Sequence, residues 1–144
     1  MSKTIIVQYK DDTIKRLEKI EKGDWVDLYA AENVVVTENE VTLIPLGVAM
    51  KLPEGYEAHL APRSSTYKNF KIIQANSVGV IDNSYCGPND WWCFPAISLN
   101  GSRIIHKGDK ICQFRIMEKQ PDLDFIEGKM DSPDRGGFGS TGTN

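Results

Sequence analysis

Residues 79–85 read Gly-Val-Ile-Asp-Asn-Ser-Tyr, an apolar run followed by a carboxylate, two turn residues and an aromatic ring. The pattern predicts a buried strand over 78–81 and a hairpin tip at Asn83 and Ser84. Asp82 is then held where the strand ends, and Tyr85 can form a wall of the same pocket. A carboxylate that orients water beside an aromatic wall suits hydrolysis of a flat, ringed substrate. The simpler interpretation is a capped turn with a half-buried tyrosine.

Short β-rich runs of this kind recur along the chain and are separated by turn residues such as Pro53-Glu54-Gly55 and Asn100-Gly101. Many closely spaced strands without internal repeats indicate an all-β sandwich or barrel. The runs cover residues 1–9, 25–29, 34–37, 41–46, 48–52, 56–61, 78–81, 93–99, 103–105 and 110–117.

A single helix is expected near the N-terminus. Apolar residues recur at Ile14, Leu17 and Ile20, acidic residues precede them, and Gly23 follows where a helix would stop. This spacing predicts a short amphipathic helix.

The composition indicates one soluble globular domain of 144 residues, 40% hydrophobic and 26% charged. A net charge of −3 argues against a dedicated nucleic-acid binder. Three cysteines without C-x-x-C spacing predict reduced thiols rather than disulfides or a zinc site. No apolar run is as long as a membrane span. We therefore expect a cytoplasmic protein, and both a bacterial and a phage-infected cell are compatible with that expectation.

The last ten residues, 135–144, contain four glycines and no aliphatic residue. They predict a mobile tail after a folded domain of residues 1–134. Backbone N–H groups in such a segment can surround an anion, and Arg135 adds a bidentate cation for phosphate. Phe138 argues against a merely frayed end, because an aromatic ring gains nothing in solvent.

Three further segments carry polar groups at predicted turns or strands. Arg63 and the hydroxyls after it suit phosphate oxygens, although an exposed turn would have the same composition. Gln113 lies in a strand that follows a Gly-Asp turn. Asp27 interrupts an apolar run, where a carboxylate either faces a cation or, more commonly, pairs with an arginine.

These segments, in this order, resemble the five motifs of the homotrimeric dUTPases, the deoxyuridine triphosphate nucleotidohydrolases. The resemblance covers residues 23–144, and five ordered motifs are far more specific than any one of them. Pro88–Trp92 departs from the family pattern, in which an acidic residue commonly follows the glycine matching Gly87. The motif residues are Asp27–Ala31, Pro62–Ser65, Gly79–Asp82 with Tyr85 and Gly87, Gly108–Gln113, and Arg135–Gly142.

The resemblance implies a jelly-roll-like β-barrel that forms a homotrimer with shared active sites. It implies Mg²⁺-assisted hydrolysis of dUTP to dUMP and pyrophosphate, with water attacking the α-phosphorus. That activity limits uracil incorporation into DNA and supplies dUMP for thymidylate synthesis.

The resemblance also assigns roles to individual residues. Asp82 would activate the water, and Asp27 would contact Mg²⁺ through water. Tyr85 would exclude a 2′-hydroxyl from the sugar site. The catalytic pair would be Asp82 and Gln113. The uracil would contact Asn76, Val80 and Ile81. Phosphate contacts would come from Arg63, Ser64, Ser65 and Gln113. The tail would cover the nucleotide, with Phe138 stacked on the base, through Arg135, Gly137, Phe138, Gly139, Ser140 and Thr141.

Two alternatives stay open at this point. A dCTP deaminase of the same broad fold also acts on a pyrimidine triphosphate, but it needs a proton shuttle at C4 of the base. A regulatory protein could retain the fold and act through a protein partner. Neither alternative predicts a nucleic-acid or membrane partner.

Overall fold

A computed structural model describes residues 2–139 as an all-β chain with one short helix, as the sequence predicts. The elements, in chain order, are β1 Ile6–Tyr9, β2 Val26–Tyr29, β3 Val34–Val36, β4 Thr42–Pro45, β5 Val48–Lys51, β6 Tyr56–Pro62, α1 Thr66–Phe70, β7 Ile73–Gln74, β8 Gly79–Ile81, β9 Cys93–Ile97, β10 Arg103–Ile105 and β11 Lys110–Glu118. Every predicted run overlaps a strand, whereas no sequence pattern predicts the five-residue α1 or the two-residue β7.

The strands form two larger antiparallel sheets and two ribbons. The larger sheets have the orders β2-β11-β6-β8 and β4-β9-β7, and the ribbons are β1-β5 and β10-β3. The longest pairing joins β6 to β11, from Tyr56 opposite Glu118 to Pro62 opposite Cys112. Neighbouring strands are mostly far apart in sequence, which is the winding expected of a jelly-roll-like barrel rather than a meander.

The core is filled by residues that alternate along each strand. In β9, Phe94 and Ala96 are buried while Cys93, Pro95 and Ile97 are partly exposed. Trp92, just before β9, is also buried, and its ring centroid lies 5.2 Å from that of Phe114 in an edge-to-face contact. Each large side chain buried in this way contributes about 1.5–3 kcal/mol.

The predicted N-terminal helix is wrong. Residues 10–24, here called the N-terminal strap, contain no helix and cross the barrel as irregular chain. Ile14 is buried, and Leu17 packs against the core. The hydroxyl of Tyr9 accepts a hydrogen bond from the Leu17 N–H at 2.9 Å, and Lys19 donates to the Gly23 carbonyl. An isolated helix of this length is marginal. Packing onto the barrel and these side-chain contacts therefore decide the conformation.

The stretch around Asp82 differs from its prediction in two respects. A turn does follow the strand, since the Tyr85 N–H donates to the Asp82 carbonyl at 3.0 Å. However, β9 pairs with β4 and β7, so β8 and β9 do not form a hairpin. The strand is also only partly buried, because among residues 2–139 it pairs with β6 alone, at the edge of its sheet, and Val80 is 65% exposed.

Residues 119–139 follow the last strand and contain no helix or strand. Their large apolar side chains are exposed, namely Leu123, Phe125, Ile126, Met130 and Phe138. The predicted division of the chain at residue 134 stays a prediction. Within residues 2–139, no helix has the length and apolar character needed to cross a membrane.

Candidate active site

A cleft of about 540 Å³ lies beside the free edge of β8. That volume is in the range typical of small-molecule sites. Five residues predicted for the substrate site or catalysis line this cleft: Asn76, Val80, Ile81, Asp82 and Tyr85. The structure thus brings together the residues assigned to the base, the sugar and the attacking water.

Asp82 is fixed by the turn that follows β8. Its Oδ1 atom accepts hydrogen bonds from the Ser84 N–H at 2.8 Å and from the Ser84 hydroxyl at 2.9 Å. These two bonds hold the pKa of Asp82 below its usual value, and the backbone bond has the larger effect. The charge of Lys119 makes a smaller contribution in the same direction. Among residues 2–139, no donor bonds to Oδ2. Asp82 is therefore an ionised carboxylate with one oxygen held and the other available to a water.

Tyr85 forms one wall of the cleft and is tied to the loop beyond it. Its hydroxyl donates to the Trp91 carbonyl at 3.1 Å. Burial raises the pKa of Tyr85, and the nearby Asp90 carboxylate raises it further. The phenol is therefore a neutral donor at physiological pH.

The loop that departs from the family pattern is held by its own aspartate. Asp90 Oδ2 accepts the Gly87 N–H at 2.8 Å, and the Pro88 carbonyl accepts the Gln8 side-chain amide at 2.9 Å. The loop leads into Trp91 and Trp92, which both line the cleft. The loop therefore contributes to the wall of the cleft.

Some lining residues were not predicted. Leu43, Cys93 and Pro95 line the cleft together with the two tryptophans. The period-two pattern of β9 places Cys93 and Pro95 outside the core, but only the pairing of β9 with β4, which sets Leu43 opposite Pro95, puts them at this cleft. Burial raises the pKa of Cys93, so its thiol stays protonated.

Residues of three other motifs form a second group, here called the Arg63 cluster, which comprises Arg63, Asp27, Ser64, Ser65, Lys110 and Gln113. Arg63 Nε lies 2.9 Å from Asp27 Oδ1, and a second guanidinium nitrogen lies 3.1 Å from the Ser65 hydroxyl oxygen. Lys110 Nζ lies 3.6 Å from Asp27 Oδ2. Asp27 thus pairs with an arginine, the commoner of the two predicted outcomes.

Two neighbouring side chains complete the second group. Gln113 lies opposite Asp27 in the β2–β11 register and donates its amide to the Pro62 carbonyl at 3.2 Å. Ser64 is exposed beside Arg63. The Arg63 cluster is therefore a rigid basic surface with hydroxyl and amide donors.

Asp82 and the Arg63 cluster lie towards opposite ends of β6. Ile81 is opposite Ala58, which places Asp82 near the level of Glu57, whereas Arg63 directly follows the other end of the strand. Six residues of strand correspond to about 20 Å. A single chain therefore does not bring Asp82 and Arg63 to one phosphate.

Among residues 2–139, no tail residue lines the cleft beside β8. Phe138 is fully exposed, and Arg135, Gly137 and Gly139 lie with it in a segment without helix or strand. Ser140 and Thr141 lie outside the described residues.

Comparison with known proteins decides the family. A sequence model of the dUTPase family matches residues 25–142. The chain belongs to the dUTPase family. This confirms the resemblance found in the five motifs.

Two curated relatives extend the match. The chain is 60% identical over 140 residues to the SPbeta prophage-derived deoxyuridine 5′-triphosphate nucleotidohydrolase YosS of Bacillus subtilis (strain 168), covering 96% of this dUTPase-family chain and 98% of that protein. It is 38% identical over 118 residues to the deoxyuridine 5′-triphosphate nucleotidohydrolase of Finegoldia magna, covering 79% and 80% of the two chains.

Solved structures agree on the fold. A Staphylococcus bacteriophage 80alpha dUTPase variant with dUpNHpp superposes with a TM-score of 0.81 at 24% identity, covering 98% of this chain and 99% of that one. A dUTPase from phage phi11 of S. aureus, whose structure shows the coordination of a structural Mg(II) ion, gives a TM-score of 0.75 at 22% identity, covering 87% and 97%. The jelly-roll-like dUTPase fold is thereby confirmed for this chain.

Proposed function

We propose that this dUTPase-family chain hydrolyses dUTP to dUMP and pyrophosphate by attack of a water on the α-phosphorus. The observation that supports it most is the Asp82 carboxylate, fixed by Ser84 at a cleft that Tyr85 walls. The reaction would keep uracil out of DNA and supply dUMP for thymidylate synthesis.

Asp82 would act as the general base. Both Ser84 bonds use Oδ1, so Oδ2 can accept the proton of a water while the carboxylate keeps its orientation. Fixing the base before the substrate arrives lowers the entropic cost of aligning the water. Gln113, the other predicted catalytic residue, would help to place the phosphates.

The free edge of β8 would read the uracil. An edge strand presents unpaired backbone N–H and C=O groups, which can match the polar edge of a pyrimidine as another base would. Val80 and Ile81 supply this backbone, and Asn76 supplies a side-chain amide in the same cleft. Tyr85 would pack against the sugar and leave a 2′-hydroxyl buried without a partner, which costs about 1–3 kcal/mol.

The Arg63 cluster would receive the triphosphate, through Arg63, Ser64, Ser65 and Gln113. Its fixed guanidinium and the adjacent hydroxyls are the donors that phosphate oxygens prefer. Binding of a polyanion by a chain of net charge −3 then depends on this local concentration of cations.

Mg²⁺ fits this site as a partner of the phosphates. Among residues 2–139, no group of three or more His, Cys, Asp or Glu side chains could hold a metal. The Asp27 side chain is 25% exposed and already pairs with Arg63 and Lys110, so it would contact Mg²⁺ through water. Bound to the phosphates, Mg²⁺ would neutralise their charge, as hard cations with retained waters do.

A homotrimer with shared sites would unite the two groups. The roughly 20 Å between Asp82 and Arg63 along β6 excludes their action on one phosphate within one chain. Asp82 of one copy would meet Arg63 of another. Arg135, Gly137, Phe138 and Gly139, followed by Ser140 and Thr141, would cover the nucleotide from a tail.

Pyrophosphate release from the purified protein tests the reaction. We expect turnover of dUTP and little turnover of dCTP, dTTP or UTP. Asp82→Asn should lower kcat by about a hundredfold or more and leave nucleotide binding largely intact. Turnover within tenfold of the unmodified protein would remove Asp82 from the base role, and deamination of dCTP would replace the proposed reaction.

Subunit mixing tests the shared site. Asp82→Asn and Arg63→Ala should each be inactive alone. Refolding the two together at equal amounts should restore activity at about one site in four, because a site can take each intact residue from a different copy. The shared site would be contradicted if the mixture stays inactive and the unmodified protein sediments as an active monomer.

A further inference from the structure

A basic group next to the Arg63 cluster includes a residue from outside the family motifs. Lys15 Nζ, in the N-terminal strap, lies 5.1 Å from the ring centroid of Tyr29. Lys110 Nζ lies 5.9 Å from the same centroid. Both lysines line a small pocket with Tyr29 and Asp27. The family match begins only at residue 25, so none of the five motifs assigns Lys15.

This pocket is continuous with the proposed phosphate contacts. Lys110 reaches Asp27 at 3.6 Å, and Asp27 in turn holds Arg63 at 2.9 Å. Lys15, Lys110 and Arg63 therefore form a row of three cations. The carboxylates that border this row are Asp27 and Glu18. The row is locally positive on a chain of net charge −3.

Stabilisation of the fold does not explain the position of Lys15. Among residues 2–139, Lys15 makes no ion pair, since Asp27 pairs with Arg63 and Lys110. Tyr29 is only partly buried, so water still screens an ammonium over its ring, and that contact contributes modestly. Two ammonium groups directed to one ring also repel each other, and an anion between them would remove that repulsion.

We propose that Lys15 and Lys110, held against Tyr29, form a subsite for the distal phosphates of the substrate, the part released as pyrophosphate. The inference rests on the proposed placement of the triphosphate at the Arg63 cluster. A flexible ammonium with rotatable donors suits the terminal phosphates, whose charge is highest, whereas the fixed fork of Arg63 suits the phosphates next to the sugar.

Comparing the binding of pyrophosphate with the binding of dUMP shows whether Lys15 acts on the distal phosphates alone or on the whole nucleotide site. Lys15→Gln should raise KM for dUTP about fivefold and weaken pyrophosphate binding by a similar factor. It should leave kcat and the affinity for dUMP unchanged, because dUMP lacks the distal phosphates. Lys15→Arg should restore most of the loss, and the difference should shrink at high salt.

Lys22→Gln is the matched control. Lys22 is an exposed lysine of the same strap, outside the pocket that Lys15 lines, and its replacement changes the net charge equally. We expect no change in KM from it. The subsite is overturned if Lys15→Gln behaves like Lys22→Gln, or if it weakens dUMP as much as dUTP.

Failure of the triphosphate placement would look different. Arg63→Ala should weaken dUTP binding, and Ser64→Ala, at an exposed side chain, should do so to a smaller extent without touching the ion pair. If both bind dUTP normally, the placement at the Arg63 cluster is wrong, and the subsite is rejected with it. If Arg63→Ala and Ser64→Ala bind dUTP weakly while Lys15→Gln binds it normally, only the subsite is rejected.

Discussion

Ser84 donates both its backbone N–H and its hydroxyl to a single oxygen of Asp82, at 2.8 and 2.9 Å. Hydrogen bonds to a carboxylate stabilise its charged form, and they lower the pKa of Asp82 accordingly. The same bonds leave the second oxygen available and set its direction. Ser84 is thus a positioning residue for the proposed base.

The pH dependence of activity should report this contact. Asp82 acts as a base only when ionised, so activity is present above its pKa and is lost as pH falls through it. Because the folded pKa is depressed, the acid limb of kcat/KM should lie below the usual range of an aspartate. Ser84→Ala removes the hydroxyl bond and should move that limb to higher pH. A limb that stays in place would show that another group controls it.

Tyr85 should control the choice of sugar. Tyr85→Ala opens space at C2′, so it should raise the activity on UTP relative to dUTP and weaken dUTP binding. Tyr85→Phe is the control, since it keeps the ring and loses only the bond to the Trp91 carbonyl. Relative kcat/KM values for the two nucleotides measure the effect. If Tyr85→Ala rejects UTP as strongly as before, the steric explanation fails.

Gly79 should be required for the position of β8. A Cβ at this residue would lie 3.2 Å from the Leu60 Cβ and 3.4 Å from the Gln74 amide nitrogen. Gln74 is buried and donates that amide to the Leu60 carbonyl at 3.1 Å, so it has little room to move. Gly79→Ala should lower the free energy of unfolding by about 1–3 kcal/mol and raise KM for dUTP.

Chemical denaturation measures the effect of Gly79→Ala, and Gly128→Ala is its control. Gly128 has open space around its Cβ direction and no positive φ. Its replacement should change stability by less than about 0.5 kcal/mol. Equal stability of the two variants would mean that β8 shifts freely to accommodate a methyl group.

The N-terminal strap should stabilise the fold although it is not a helix. Ile14 is buried and packs against the β4–β5 turn, where a Cβ at Gly47 would lie 2.7 Å from the Ile14 Cδ1 atom. Ile14→Ala should therefore cost about 2–4 kcal/mol in unfolding free energy, whereas Ile20→Ala, at a side chain 50% exposed, should cost less than about 0.5 kcal/mol. Similar small losses from both would show that the strap is not part of the core.

The strap also shows where sequence reasoning ends. The spacing of Ile14, Leu17 and Ile20 is helical, and it correctly marks Ile14 and Leu17 as residues that pack on the core. It does not reveal that the Tyr9 hydroxyl takes the Leu17 N–H, because that contact depends on where β1 lies. The period-two patterns predict strands more reliably than this spacing predicts a helix, because side chains alternate between the two faces of any β-strand.

The residues of the site also differ in whether local sequence patterns can predict them. The motif residues Asp82 and Tyr85 were found from sequence because a strand end and a turn define them locally. Cys93 and Pro95 were missed, because the pairing of β9 with β4 rather than with β8 brings them to the cleft. Likewise, the separation of Asp82 from Arg63 follows from the β6–β8 register, which local patterns do not specify.

The tail should act in catalysis and not in folding. Residues 119–139 follow the last strand, and Phe138 is exposed, so this part of the tail buries little apolar surface. A protein ending at Asp134 should therefore keep its thermal midpoint. It should lose most of its kcat, because Arg135 and the glycine amides would no longer close over the triphosphate and align it.

Two further measurements separate a closing tail from a merely charged one. Nucleotide with Mg²⁺ should protect the full-length tail from proteolysis, since a segment bound over the substrate is inaccessible to a protease. Phe138→Ala, which keeps Arg135 and the glycines, should weaken dUTP binding without lowering stability, because stacking on the uracil is lost. If the shortened protein keeps its kcat, the tail does not close over the substrate. If the shortened protein loses kcat but nucleotide does not protect the full-length tail from proteolysis, Arg135 acts by charge alone.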